Sequence, residues 1–449
     1  MNEGTTEALC FLLISMLALT LVFLVTRIHR RHPFRVWSPV YMALISYLVL
    51  GFGGLLLFGF TEAARGTFYG LPLSRSVLVW TLAQILILLC VMCLGSLAYL
   101  GAIRPRRSFG SRLGSAPTLE HPQESQGLEL TPASMLLVFA VAVVPFIPLL
   151  VGAGVSNVWS RSIYFADEHH MMKIMGYSLG MVAVFASGLI FAFGVRPQYR
   201  PFRILGLGIF AAYELVFFAL ATRQFAVAPV LFFLGALLVN PRSKWLQAFA
   251  ALSMIASLLL IQVPLTLRGL SHQGLAPFLA YMAASWRGLA DEALNPEQLQ
   301  AFFLNTLYGF PLTAYVSSAP QLPPSYFLTS VNPLPGSLTS WYQINMLLRV
   351  NVYIPYNSLG ELLNYGLLVA AAMFFLLGIV LTAVDTWIRR SLAQHRYFLP
   401  VLYVGLSALF ILNSTQYNLR SSVRIIYYMV AVAFMARMFH ELNPARRNS

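Results

Sequence analysis

The segment "SVLVWTLAQILILLCVMCLGSLAYL" (76–100) runs for 25 residues without a charge. A run of that length suits one purpose, crossing a hydrocarbon layer about 30 Å thick as a helix. Similar runs recur near 8–26, 38–60, 134–153, 174–194, 204–221, 225–239, 245–265, 363–387, 398–413 and 425–438. They are continuous rather than alternating, which favours helices that satisfy their own backbone polar groups over a β-barrel. Composition agrees: 58% of residues are hydrophobic and 10% charged, against about 25% charged in soluble domains. The expected fold is therefore an all-α polytopic membrane protein of about eleven transmembrane helices.

The net charge of +14 does not point to nucleic acid, because of where the charges fall. "RIHRRHPFR", "RPRRSFGSR", "RPQYRPFR", "PRSK", "IRR" with "HR", and "ARRNS" all lie on one side of the alternating spans. With about two thirds of the Lys and Arg there, that side is expected to be cytoplasmic. The acidic "MNEGTTE" then lies outside and the C-terminus inside. A basic stop directly follows the first span, which reads as a retained helix rather than a secretory signal.

Three stretches organise the chain. Residues 1–265 hold eight spans and a Ser-, Pro- and Glu-rich cytoplasmic tether near 101–132 that could bury no core. Residues 266–362 form a large periplasmic loop, and 363–449 hold the last three spans. A loop of roughly a hundred residues between spans is usually functional. In it, "LAPFLAYMAASWRGLA" has the spacing of an interfacial helix. "NPEQLQAFFLNTLYGF" offers Asn295 as N-cap and Pro296 at the first helical position. "SAPQLPPSY" and "VNPLPGS" predict a rigid extended arm without helix. No internal repeat is evident, which weakens an inverted-repeat transporter.

The informative polar residues sit at the outer helix ends. "ATRQFAVAPVLFF" holds Arg223 in a tight turn between two short spans, as a snorkelling arginine or as a fixed guanidinium for a lipid-linked phosphate. Arg268, in "VPLTLRGLSHQG", opens the long loop at the same depth. Together the two could grip one pyrophosphate. Arg420 and Arg424, in "NSTQYNLRSSVR", run against the positive-inside trend on the last outer turn. Glu361, in "NVYIPYNSLGELLNYGLL", begins a helix, where a carboxylate suits the dipole. With Tyr353, Tyr356, Asn357 and Gly360 it could also face a sugar and take a proton from an attacking hydroxyl. Asp167, Glu168, His169 and His170 read as a solvated loop. Glu214 reads as an intramembrane acid hydrogen-bonded to a Tyr or Gln of a neighbouring helix, and Asp385 as the ion-pair partner of Arg389. Cys10, Cys90 and Cys93 lie in apolar runs; "CVMC" lacks a second ligand pair and reads as helix packing. The nucleotide, zinc and nucleophile-elbow motifs are absent from the sequence.

The "TRQ" turn, "TSVNPLPGS" and "NSLGELLNYGLLVAAAMFFLLG", with the late outer loop, resemble the Wzy-type O-antigen and oligosaccharide repeat-unit polymerases and, more distantly, the O-antigen ligases. The resemblance covers nearly the whole chain as topology, and these short motifs in sequence. It implies inverting, metal-independent glycosyl transfer on the outer face of the bacterial inner membrane, without a cofactor. Donor and acceptor would both be polyprenyl-diphosphate-linked glycans. Glu361 would serve as base, and Arg223, Arg268, Arg420, Arg424, Tyr356 and Asn357 would bind substrate. Membrane lipids, a chain-length regulator and a flippase are the implied partners. Ligases of the superfamily present a histidine before the late span. Tyr356 and Asn357 stand there instead, which favours polymerase over ligase. The competing class is a flippase or transporter of a lipid-linked substrate.

Overall fold

The computed structural model describes residues 3–60, 73–103, 132–161, 170–194, 199–222, 224–260, 263, 267–268, 270–293, 307–351, 354–394 and 396–441. Arg223, Tyr353, Asp167, Glu168 and His169, the Asn295–Pro296 helix start and nearly all of the expected tether lie outside these residues, as do the side chains of Cys10 and His170.

Helices account for most of the described chain. The first group is α1 (Glu3–Arg31), α2 (Pro39–Leu48), α3 (Gly54–Phe60), α4 (Arg75–Ala102), α5 (Pro132–Val143) and α6 (Phe146–Ala153). Then come α7 (Val155–Trp159), α8 (His170–Phe193), α9 (Arg200–Ala219), α10 (Gln224–Val239) and α11 (Lys244–Leu260). The loop region contributes α12 (Leu275–Ala293), α13 (Gly309–Ser318), α14 (Pro324–Val331) and α15 (Trp341–Leu347). A short hairpin, β1 (Arg349–Asn351) with β2 (Ile354–Pro355), leads to α16 (Ser358–Asn364), α17 (Leu367–Ala393), α18 (Phe398–Gln416) and α19 (Leu419–Glu441).

Among the described residues, seven segments are long and apolar enough to cross a membrane: Phe11–Arg31, Pro39–Gly59, Arg75–Ala102, Met135–Ala153, Arg200–Ala219, Leu367–Ala393 and Phe398–Gln416. The second passes through a π turn at Val49–Gly53. The fourth bends where α6 begins after Pro145, whose missing N–H interrupts the backbone ladder.

Two helix pairs pack through glycine. A Cβ on Gly95 of α4 would lie 2.1 Å from the Phe375 carbonyl oxygen of α17, and one on Gly378 of α17 would lie 2.0 Å from that of Met92 on α4. The same reciprocity joins α8 and α10: Gly188 meets the Phe232 carbonyl and Gly235 that of Phe185. Lipid supplies little hydrophobic drive between helices, so close backbone approach over small residues is what holds such pairs. Cys90 and Cys93 are buried on α4, and the Cys90 thiol reaches the Leu17 carbonyl at 3.7 Å.

At the basic end, a buried clasp joins the α1–α2 turn to α17. Asp385, fully buried, forms the expected pair with Arg389 at 3.4 Å. Its Oδ2 also accepts from Ser38 Oγ at 2.5 Å and pairs with His32 Nε2. Arg389 in turn donates to the Pro33 carbonyl at 2.6 Å and lies over the Trp37 ring. Glu214 differs from expectation: its buried carboxylate oxygens find no hydrogen-bond partner among the described residues.

The loop region departs from the sequence reading in three places. The Pro-rich arm is not extended throughout. Pro323 and Pro324 stand at the start of α14, where a fixed φ and a missing N–H cost nothing, so a helix forms between the two proline clusters. The segment around "GFPLTAYVSS", expected within the periplasmic loop, is part of the packed bundle. In α13, Phe310, Leu312, Ala314 and Val316 are fully buried, and α13 packs against α3, α4, α16 and α18. The entry to the late span is two helices, not one. Gly366 adopts φ +113, a conformation open to glycine, and there the chain turns from α16 into α17.

Candidate functional site

Two polar groups form at the end of the bundle that carries the loop region. The first is built around α16. Asn357 caps this helix: its Oδ1 accepts from Gly360 N at 3.1 Å, and its amide donates to Gly309 O at 2.9 Å and Thr313 Oγ1 at 2.7 Å. Asn364 closes the other end by donating to Val316 O at 2.8 Å and Ala319 O at 3.1 Å. These amides tie α16 to α13, and all seven α16 residues are buried. The expected sugar-facing surface is thus corrected at two positions. Asn357 and Gly360 face inward, because α13 occupies the space in front of them and saturates the amide.

Glu361 sits midway along α16, fully buried. Its Oε1 accepts from Ser330 Oγ at 2.6 Å and Tyr365 Oη at 3.3 Å, while Oε2 accepts from Leu419 N at 2.9 Å. Burial pushes the carboxyl above its usual range, and the bonds from Ser330, Leu419 and Tyr365 pull the other way. Desolvation wins here because three hydrogen bonds do not replace the hydration of a charge taken wholly out of water. Tyr365 is also raised, by burial first and then by the Glu361 charge.

Arg420 lies one residue past the Leu419 amide and is 1% exposed. Its guanidinium donates to the carbonyls of Thr329 (2.5 Å) and Leu334, and to Thr339 Oγ1 at 3.3 Å. The plane lies 4.9 Å from the Trp341 ring centre, a cation–π contact. Burial and the like charge of Arg424 both lower its proton affinity. Arg424, half-buried one turn along, has no hydrogen-bond or ion-pair partner among the described residues. Tyr356 is half-buried beside Trp341, with its phenol raised chiefly by burial.

The second group surrounds the end of α9. Ala221 takes φ +49, and the turn closes through Ala221 N to Phe218 O at 2.8 Å and Thr222 N to Phe217 O at 3.0 Å. The carbonyls left over at a helix C-terminus carry partial negative charge. Two arginines meet them: Arg161 Nη2 donates to Leu220 O at 3.2 Å, and Arg268 Nε to Ala221 O at 2.8 Å. Gln273 fastens the pair. It exchanges both backbone hydrogen bonds with Arg161, at 2.7 and 2.8 Å, and its amide donates to Arg268 O at 2.9 Å.

Glu361, Asn357, Tyr356, Arg420 and Arg424 therefore share one neighbourhood, while Arg268 belongs to the other, at the Ala221–Thr222 turn. Sequence reasoning missed Arg161, although it is one more arginine at an outer helix end, the signal that singled out Arg268. It also missed Ser330, where a serine within a Pro-rich stretch carries no signal at all.

Among the described residues no three His, Cys, Asp or Glu side chains gather as metal ligands. Fold and surface together define a helical, polytopic membrane protein, with apolar side chains such as Leu19 and Leu368 exposed along its spans. Comparison with protein-family models, with curated proteins and with solved structures finds no match.

Proposed function

We propose that the chain is an inverting glycosyltransferase that polymerises polyprenyl-diphosphate-linked oligosaccharide repeat units on the outer face of the bacterial inner membrane. In this reading it has about eleven spans, with α8, α10, α11 and α19 as the further passes, the N-terminus outside and the C-terminus in the cytoplasm. The observation that carries the reading is a buried carboxylate paired with a serine hydroxyl at the loop end. Ser330 Oγ stands 2.6 Å from Glu361 Oε1, within the reach a general base needs toward an attacking hydroxyl.

In the proposed reaction, a hydroxyl of the acceptor glycan takes the place of Ser330 and gives its proton to Glu361. Its oxygen forms a bond to the donor's anomeric carbon on the face opposite the diphosphate. The anomeric carbon–oxygen bond breaks, and its electron pair stays on the leaving polyprenyl diphosphate. That developing charge needs fixed cations. Arg223 and Arg268 are assigned to it, with Arg161 supporting Arg268 through Gln273. Arg420 is assigned to holding the arm rather than to substrate, since its donors are directed at Thr329, Leu334 and Thr339.

The test is purified protein in lipid with a synthetic polyprenyl-diphosphate repeat unit. A ladder of products, lost in Arg223→Ala and in Glu361→Gln, is expected. Movement of the lipid-linked sugar between leaflets without a ladder would make the protein a flippase. Transfer to a different acceptor without chain growth would make it a ligase.

A further inference from the structure

The arm between α13 and α16 is fastened to α19 along the helix flank, not above its end. Arg420 holds the carbonyls of Thr329 and Leu334, and the Tyr427 hydroxyl donates to the Val331 carbonyl. From Arg420 to Tyr427 an α-helix rises by about 10 Å, so the arm spans the first two turns of α19. Those turns are where α19 changes character. "LRSSVR" is polar and "IIYYMVAVAFM" is apolar, so the arm stands level with the passage from lipid headgroups to hydrocarbon.

Its outward side chains suit that level. Leu328, Leu334, Leu338, Tyr342, Met346 and Leu347 are exposed by 66%, 51%, 71%, 66%, 61% and 58%. Residues 319–348 contain no Asp, Glu, Lys or Arg. A water-facing segment of that length normally carries several charges, and an apolar patch of this extent marks a contact surface. Below the arm, exposed Tyr428, Val430 and Phe434 continue the apolar surface down α19 into the span. The cation beside it, Arg424, has no partner among the described residues.

We propose that Pro324–Leu347 is an in-plane membrane anchor. It lies in the boundary between headgroups and acyl chains of the leaflet at the loop end, with its apolar side chains in the outer hydrocarbon and Arg424 on a lipid phosphate. The occupant of this surface is the bilayer itself. A second protein is disfavoured because the patch is continuous with the lipid-facing side of α19 and offers no charge to fix an orientation. The anchor also fixes the height of Glu361: Ser330 belongs to α14, so the carboxylate is held at the membrane surface, where lipid-borne groups arrive. The anchor itself stands whether or not the glycosyl-transfer reading holds.

The experiment places nitroxide labels at Leu338→Cys and Met346→Cys in the full chain, with Cys10, Cys90 and Cys93 replaced by alanine. The protein is reconstituted in vesicles of phosphatidylethanolamine and phosphatidylglycerol. Leu368→Cys, 84% exposed on α17, is the lipid reference, and Gln394→Cys, in the exposed turn after α17, is the water reference. Collision with oxygen should exceed collision with a water-soluble nickel chelate at both arm sites, as at Leu368. A pattern like that of Gln394 overturns the proposal, and so does protection from both reagents, which would mean a protein partner. A second measurement uses the unmodified chain and a phosphatidylethanolamine with a photoactivatable acyl chain. Adducts mapped to 328–347 are expected, and adducts confined to the bundle helices would refute the anchor.

Discussion

Replacing Glu361 by alanine removes the acceptor of three buried donors at once. Two of the bonds are short, from Ser330 Oγ at 2.6 Å and Leu419 N at 2.9 Å, and the third, from Tyr365, is long at 3.3 Å. An orphaned buried donor costs about 1–3 kcal/mol, so the two short bonds set a loss of about 2–6 kcal/mol. Relief from burying a carboxyl that burial already disfavours in its charged form trims the upper end. Glu361→Gln keeps an acceptor for Ser330 but turns an amide toward the Leu419 N–H, leaving one donor against another, at about 1–3 kcal/mol. The expected order of stability is wild type, then Gln, then Ala. The assay is denaturant unfolding of purified protein followed by loss of helicity. Alanine within about 0.5 kcal/mol of wild type, the range of an inconsequential surface change, would refute this account of the site.

The same residue carries a pH signature. Its folded-state pKa lies above the ordinary 4.5. A raised carboxyl contributes its full stabilisation below the ordinary value, and that contribution is lost as pH rises through the folded pKa. Glu361→Gln cannot titrate, so the advantage of wild type over Gln should shrink as pH rises above the ordinary carboxyl range. A widening gap would reverse the assigned cause. Activity separates the two roles of the residue: a base requires that Gln be inactive, whereas a staple alone would leave Gln active.

Two further outcomes test the packing. Gly378→Ala puts a Cβ 2.0 Å from the Met92 carbonyl oxygen, against an ordinary carbon–oxygen contact of about 3.3 Å. The two helices must part, at about 1–3 kcal/mol, and Cys93 of α4 should become reactive to a maleimide; an unreactive Cys93 would show that the pair does not depend on this contact. Asp385→Ala leaves His32 and Ser38 without their shared acceptor and should cost about 2–4 kcal/mol. Trypsin should then cut faster at Arg30 and Arg31, and unchanged protection would mean that the clasp does not hold the α1–α2 turn.

The membrane class was legible in the sequence because it depends on single-segment properties. An uncharged run such as 76–100 can satisfy its backbone and bury its side chains in lipid only as a helix, whatever its neighbours do. The Asp385–Arg389 pair was legible for a similar reason, since four residues along one helix fix the distance. The interest of Glu361 could also be read locally, from a carboxylate at the mouth of a span. What it touches could not. Ser330 is 31 residues away and Leu419 is 58, and nothing local to either announces the contact. The same holds for Asn357, whose amide looked available from its sequence neighbours and is consumed by α13. Proline was read as a breaker of the arm, while its effect depends on position: at the first turn of α14 it starts a helix. Local chemistry determined that the long uncharged segments are helical and apolar enough to cross lipid. Only tertiary packing decided which polar atoms are spent on holding the fold, because a hydrogen bond is settled by the two groups that meet, and the chain brings those together from far apart.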